Sequence, residues 1–235
     1  MDEQPVKKKT SPWVWVGVGC LALIVLIVGG FAIAGFMVYR AGKSFVADMT
    51  DPTARAAKVQ KILGAQELPE GYHPAFALSL GPLMDMAMLS DRAPKADGSV
   101  EGFDKHGFLY MRFPKSNDSD QLRDYLEGKR DDPGMQNNLH LSAKDTLKRG
   151  KLELNGETLL YVAQRGEFQS QQVNQQGLQS VMLLECPGDT KTRMAIWFAP
   201  DPAPGKKLGP ADLAGTPADE GALKDFMSNF KPCQD

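Results

Sequence analysis

Met84-Asp85-Met86-Ala87-Met88 is the run whose residue types and spacing point most directly to chemistry. On a β-strand alternate side chains share a face, so the three thioethers would stand in one row. Thioether sulfur is a soft ligand that selects Cu(I), and His73 or His106 would join the set if their strands were neighbours. The same spacing suits a strand that packs methionine into a core, with Leu83 and Leu89 flanking the run. Met111, Met135, Met182, Met194 and Met227 recur along the rest of the chain. Core packing is therefore the expectation, and copper handling through Met84, Met86 and Met88 the alternative. None of His73, His106 and His140 has a second ligand at i+2 or i+4, and each reads as a surface or edge residue.

The cysteines carry a firmer expectation. Cys186 ends the run SVMLLEC just before a Pro187-Gly188 turn, and Cys233 follows the last helix. Two cysteines in one domain of an oxidising compartment pair with each other. A Cys186–Cys233 disulfide would staple the C-terminus to the end of a strand; the alternative is two free thiols. Neither cysteine belongs to a CxxC or has a histidine near it in sequence, so no metal site is expected there. Asn117-Asp118-Ser119 fits a glycosylation sequon and equally a helix cap.

Catalytic signatures are missing. The chain holds no G-x-S-x-G, no P-loop, no G-x-G-x-x-G after a strand and no H-E-x-x-H. The expectation is a non-enzymatic binding domain that needs no cofactor. The alternatives are copper handling and an enzyme whose site is assembled from distant residues.

The elements that must position these residues are legible from punctuation and period. Thr50-Asp51-Pro52 starts a helix that runs to Ile62-Leu63 and stops at Gly64, with Ala56, Val59, Ile62 and Leu63 as its apolar stripe. It would serve as a stalk or as the first helix of the domain. HPAFALSL (73–80), LMDMAML (83–89) and HGFLYMRF (106–113) read as strands separated by breakers. Asn117 to Ser119 cap a helix carrying Leu122, Tyr125 and Leu126. KRGKLEL and ETLLYVAQ flank Asn155-Gly156, the strongest local hairpin signal because both turn positions need positive φ. SVMLLEC and TRMAIWF form another pair, and residues 199–215 are irregular. The glutamine-rich stretch 169–180 reads as a solvated loop or edge strand. Thr216-Pro217-Ala218-Asp219 opens a last helix that buries Leu223, Phe226, Met227 and Phe230 and ends at Pro232.

Strands in hairpin-sized steps with few helices predict an α+β domain, a mainly antiparallel sheet packed by helices. The element order is loosely similar to the sandwich of the PsbP family, which also closes on a C-terminal helix. No motif carries that likeness, so it implies no function and no residue role.

Ahead of this domain, residues 13–39 contain no charge. As a helix they reach roughly 40 Å, against a hydrocarbon core of about 30 Å. Trp13 and Trp15 at one end and Phe36 and Tyr39 at the other fit an aromatic belt. Ala32-Ile33-Ala34 resembles a signal cleavage site, but the apolar run is too long for a signal and continues past it. The expected organisation is a tail over 1–11, a transmembrane helix over 12–39, a juxtamembrane stalk or helix over 40–68 and an extracytoplasmic α+β domain over 69–235. Lys7, Lys8 and Lys9 against Arg40 and Lys43 orient it only weakly; the cysteine pair favours a cytoplasmic N-terminus. Cys20 falls inside the apolar run, where it acts as a small hydrophobe. Gly30 and Ala34 form a small-xxx-small pair that would permit weak self-association.

The whole chain has formal net charge −2, with 27 basic and 29 acidic residues. With both signs interspersed and no basic patch, nucleic acid is not an expected partner. The membrane and a protein or envelope component are.

Overall fold

The computed structural model of the chain describes residues 51–95, 103–131, 140–169 and 174–233. The chain divides into two units, Met1–Phe45 and Val46–Asp235, and all described residues belong to the second. The expected membrane helix, with Cys20, Gly30 and Ala34, lies outside the described residues. Among the described residues no helix is long and apolar enough to cross a membrane.

Seven strands form one antiparallel sheet: β1 (His73–Ser79), β2 (Asp85–Ser90), β3 (Gly107–Pro114), β4 (His140–Leu154), β5 (Glu157–Gln169), β6 (Asn174–Glu185) and β7 (Lys191–Pro200). Their order in the sheet is β1-β2-β3-β7-β6-β5-β4. The first three make a meander and the last four make another. The two join where β3 pairs with β7, from Gly107↔Phe198 to Pro114↔Lys191. Helix α1 (Pro52–Leu63) precedes β1, and α2 (Asn117–Leu126) lies between β3 and the far edge strand. The short α3 (Pro210–Leu213) and then α4 (Glu220–Met227) close the chain.

Both faces of the sheet are covered. On the first, Leu89, Phe108, Tyr110, Tyr161, Met182 and Trp197 pack with Val59 and Leu63 of α1 and with Leu223, Phe226 and Met227 of α4. Trp197 stacks on Phe226 at 4.4 Å between ring centroids, and its indole N–H donates to the Tyr72 hydroxyl at 2.7 Å. On the second face, Leu109, Met111, Val181, Leu183, Met194 and Ile196 pack with Leu122, Tyr125 and Leu126 of α2. Burial on two sides explains why the central strands are continuous apolar runs rather than alternating ones.

Local signals act where they stand. The Asp51 carboxylate caps α1 by accepting from the N–H groups of Thr53 and Ala54. The helix stops at Gly64 in the left-handed region, φ 63°. Asn155 and Gly156, with φ 54° and 83°, make the β4–β5 turn. The N-cap of helix α2 is Ser116, one residue ahead of the expected cap, and its N–H donates to the Ser119 hydroxyl at 3.1 Å.

The later strands are longer than their sequence suggests. β4 and β5 pair as far as His140↔Gln169, with irregularities between Ala143 and Asp145 and between Thr146 and Lys148. Each bulge inserts a residue and breaks the alternation that would have marked the strand. His140 thus begins β4 instead of lying in a loop. The second half of the glutamine-rich stretch is neither loop nor edge: from Asn174 it belongs to β6, between β5 and β7. Main-chain pairing is indifferent to side-chain polarity. Buried Gln164 and Gln179 sit opposite each other, and Gln164 accepts the Tyr125 hydroxyl proton.

Candidate functional site

The residues able to do chemistry gather at one end of the sheet. Along that end lie the β1–β2 hairpin tip, the end of β3, the β6–β7 turn, the start of β5 and the C-terminal tail. Strand register builds the first row. Asp85 of β2 is opposite Arg112 of β3, and Arg112 is opposite Arg193 of β7. Asp85 Oδ2 accepts from Arg112 Nε at 2.8 Å and Nη2 at 2.6 Å, and Asp85 Oδ1 accepts from the Ser79 hydroxyl at 2.5 Å. Two N–H donors on one carboxylate oxygen hold this mostly buried pair in a fixed geometry.

Arg193 is 2 % exposed. A buried cation must be paired to be tolerated, and this one is. It forms an ion pair with Asp189 of the β6–β7 turn, and its Nε donates to the Pro232 carbonyl at 2.9 Å. Pro232 immediately precedes Cys233, so the guanidinium ties down the tail that carries the cysteine.

Cys186 and Cys233 sit at disulfide geometry, with Cα atoms 5.6 Å apart at a sequence separation of 47. Closing a loop of this size restricts the unfolded chain by about 4 kcal/mol in the chain-entropy picture. A carboxylate oxygen of Glu157 and the two sulfurs all lie within 4.8 Å of one another. Glu157 opens β5 straight after the Asn155-Gly156 turn, and all three residues are half-buried. Burial pushes the Glu157 carboxyl above the usual carboxylate range, and the charge of Arg193 opposes that rise without cancelling it.

The same end of the sheet exposes apolar surface. Leu80 is 42 % exposed and Leu83 66 %, and both flank Gly81-Pro82 at the β1–β2 tip. They are the exposed large hydrophobic side chains among the described residues.

Met84, Met86 and Met88 alternate with buried Asp85 and Ala87, so they share the second face of the sheet, and each is half-buried. Met86 and Met88 pack against the second core cluster, opposite Met111 and Leu109 of β3. The histidines are at the other end. His73 pairs with Ser90, and His106 immediately precedes Gly107, which also pairs with Ser90. At about 3.3 Å per residue, six residues of strand separate that end from Met84 by roughly 20 Å. The fold therefore does not bring the thioether row and the two histidines into one set.

No sequence signal singled out Glu157, Asp189 or the Arg112–Arg193 row, because each depends on which strands become neighbours. A weaker sign was available. Arg112 stands between Met111 and Phe113, Arg193 directly precedes the buried run from Met194 to Ala199, and an arginine placed so close to a core demands a partner.

No protein-family profile and no curated protein matches the chain. What the fold and site define is an α+β domain with a Cys186–Cys233 pair at disulfide distance and an apolar hairpin tip.

Proposed function

We propose that this chain is a single-pass membrane protein whose extracytoplasmic α+β domain is a non-enzymatic docking module for a protein or envelope component. The observation that carries the reading is the hairpin tip. A folded surface normally scatters its large apolar side chains singly, whereas here Leu80 and Leu83 are both exposed on one turn. A turn bearing two leucines is complementary to an apolar groove on a partner. The Asp85–Arg112 pair behind it is already satisfied internally and adds no net charge. The 13–39 run supports the anchor, and the cysteine pair supports an oxidising compartment.

The test is site-specific photocrosslinking of the full chain in its native membrane. A benzophenone side chain at position 83 is expected to give a discrete adduct that Leu80→Asp suppresses. The same group at exposed position 153 is expected to give none. Equal adducts at both positions, or an adduct indifferent to Leu80→Asp, would overturn the docking role of the tip.

A further inference from the structure

We propose that Cys186–Cys233 is a thiol–disulfide exchange site, reduced by an external dithiol, at which Glu157 passes the proton. This stands apart from the docking reading, since it concerns the tail and not the hairpin tip. Three observations converge on it. The Glu157 carboxylate lies within 4.8 Å of both sulfurs, close enough to reach either with a small side-chain movement. Both cysteines are half-buried, so a solvent-borne thiolate has access to the bond. Arg193, paired with Asp189 and donating to the carbonyl of Pro232, holds the residue next to Cys233 in place while the bond exchanges.

The exchange balances without any other reagent. One thiol of the dithiol loses its proton to solvent, and its sulfur attacks one cysteine sulfur. A new S–S bond forms, the Cys186–Cys233 bond breaks, and the electron pair goes to the departing sulfur. That thiolate takes the proton of the Glu157 carboxylic acid. The second thiol of the dithiol then gives its proton to the Glu157 carboxylate and attacks the mixed disulfide. This releases the other cysteine, which is protonated from solvent. The dithiol ends oxidised to a disulfide, and Cys186 and Cys233 end as thiols. The carboxyl held above its usual range by burial is the one suited to give up a proton at this point. The charged groups facing it are Arg193 of β7 and, behind Arg193, Asp189 of the β6–β7 turn; Leu154, its partner on β4, is apolar.

Reduction would have a structural consequence. Among the described residues the tail is held by the disulfide, the Arg193–Pro232 hydrogen bond, the bond from the Lys231 N–H to the Leu63 carbonyl at the end of α1 (3.2 Å) and the packing of Phe230. Opening the disulfide removes the covalent tie, and with it part of what joins α1 to the end of the sheet.

The test uses the full chain in detergent micelles. Dithiothreitol reduces it from acid to neutral pH, the reaction is followed by alkylation gel shift, and each rate is divided by that for oxidised glutathione under the same conditions. Division removes the ionisation of the attacking thiol. The ratio is expected to fall as pH rises through the titration of Glu157. Glu157→Gln is expected to lower it about tenfold or more on the acid side and to flatten the profile. Glu153→Gln, on the neighbouring strand, should behave as wild type. A flat wild-type ratio, a Glu157→Gln profile that matches wild type, or a disulfide that opens only after unfolding would each overturn the proposal. If Glu157→Gln does not fold, the wild-type profile decides alone.

Discussion

Asp91 shows how much one side chain decides in this domain. It follows β2, and its carboxylate gathers the strand that comes next. Oδ1 accepts from the Asp104 N–H at 2.7 Å, and Oδ2 accepts from Lys105 at 2.7 Å and His106 at 2.9 Å. Burial pushes its carboxyl up, but the three N–H donors and the nearby His106 outweigh burial and hold it below its ordinary value. A depressed value in the folded state means stabilisation that is fully present above the unfolded carboxylate range. It is lost as pH falls through the folded value. Asp91→Ala should therefore cost about 2 kcal/mol at neutral pH, as expected for charged hydrogen bonds left unmade. The deficit relative to wild type should close as the pH is lowered, and urea unfolding of both proteins at neutral and acid pH measures it. A deficit independent of pH would mean that the carboxylate charge is not what holds the loop. Nothing in the sequence announced this residue, because its partners are backbone amides that any residue supplies. Cys186 and Cys233 were legible for the opposite reason: their chemistry belongs to the side chains themselves, and they are the two cysteines outside the apolar run.

Among the elements, α1 and the tail depend on one glycine. Gly64 ends the helix with φ 63°, and a Cβ built there would lie 2.2 Å from the Lys231 carbonyl oxygen. Gly71 has φ 79° with nothing within 4 Å of such a Cβ. The two positions separate backbone strain from close approach. Gly71→Ala should cost about 1 kcal/mol, the left-handed penalty alone. Gly64→Ala should cost about 3 kcal/mol, since the tail must also be displaced. Chemical denaturation of both variants checks the difference, and equal costs would show that the tail yields freely. Helix ends and the Asn155-Gly156 turn were readable because their chemistry is local. Strand lengths were not. The bulges in β4 shift its alternation partway, and the glutamines of β6 hide a central strand behind a polar composition. A strand is defined by its neighbours' backbones, which no window of single-chain hydropathy contains.

At the scale of the whole molecule, hairpin-sized steps made each meander predictable, but not the closure of β7 against β3 or the passage from β3 to the far edge strand β4. That closure brings Arg112 beside Arg193 and so makes the charged row at the end of the sheet. The first turn of α1 lies at the start of β1, where the Arg55 Nε donates to the Pro74 carbonyl at 2.9 Å. The hairpin tip and the cysteine pair are thus at the end of the sheet away from that turn. In our reading, residues 12–39 cross a bilayer with the N-terminus in the cytoplasm, and the two inferences behind that direction are independent. One is the slight excess of lysine before the apolar run, and the other is a cysteine pair that persists where the compartment oxidises. Both lead to one measurable arrangement. In intact cells, a membrane-impermeant maleimide should label a Glu153→Cys variant and leave a Thr10→Cys variant untouched until the membrane is opened. The native cysteines should add no signal, since Cys20 lies in the apolar run and the other two are joined. The chain should remain in the membrane pellet after an alkaline carbonate wash. Labelling of Thr10→Cys with protection of Glu153→Cys would reverse the orientation, and release by carbonate would remove the anchor altogether.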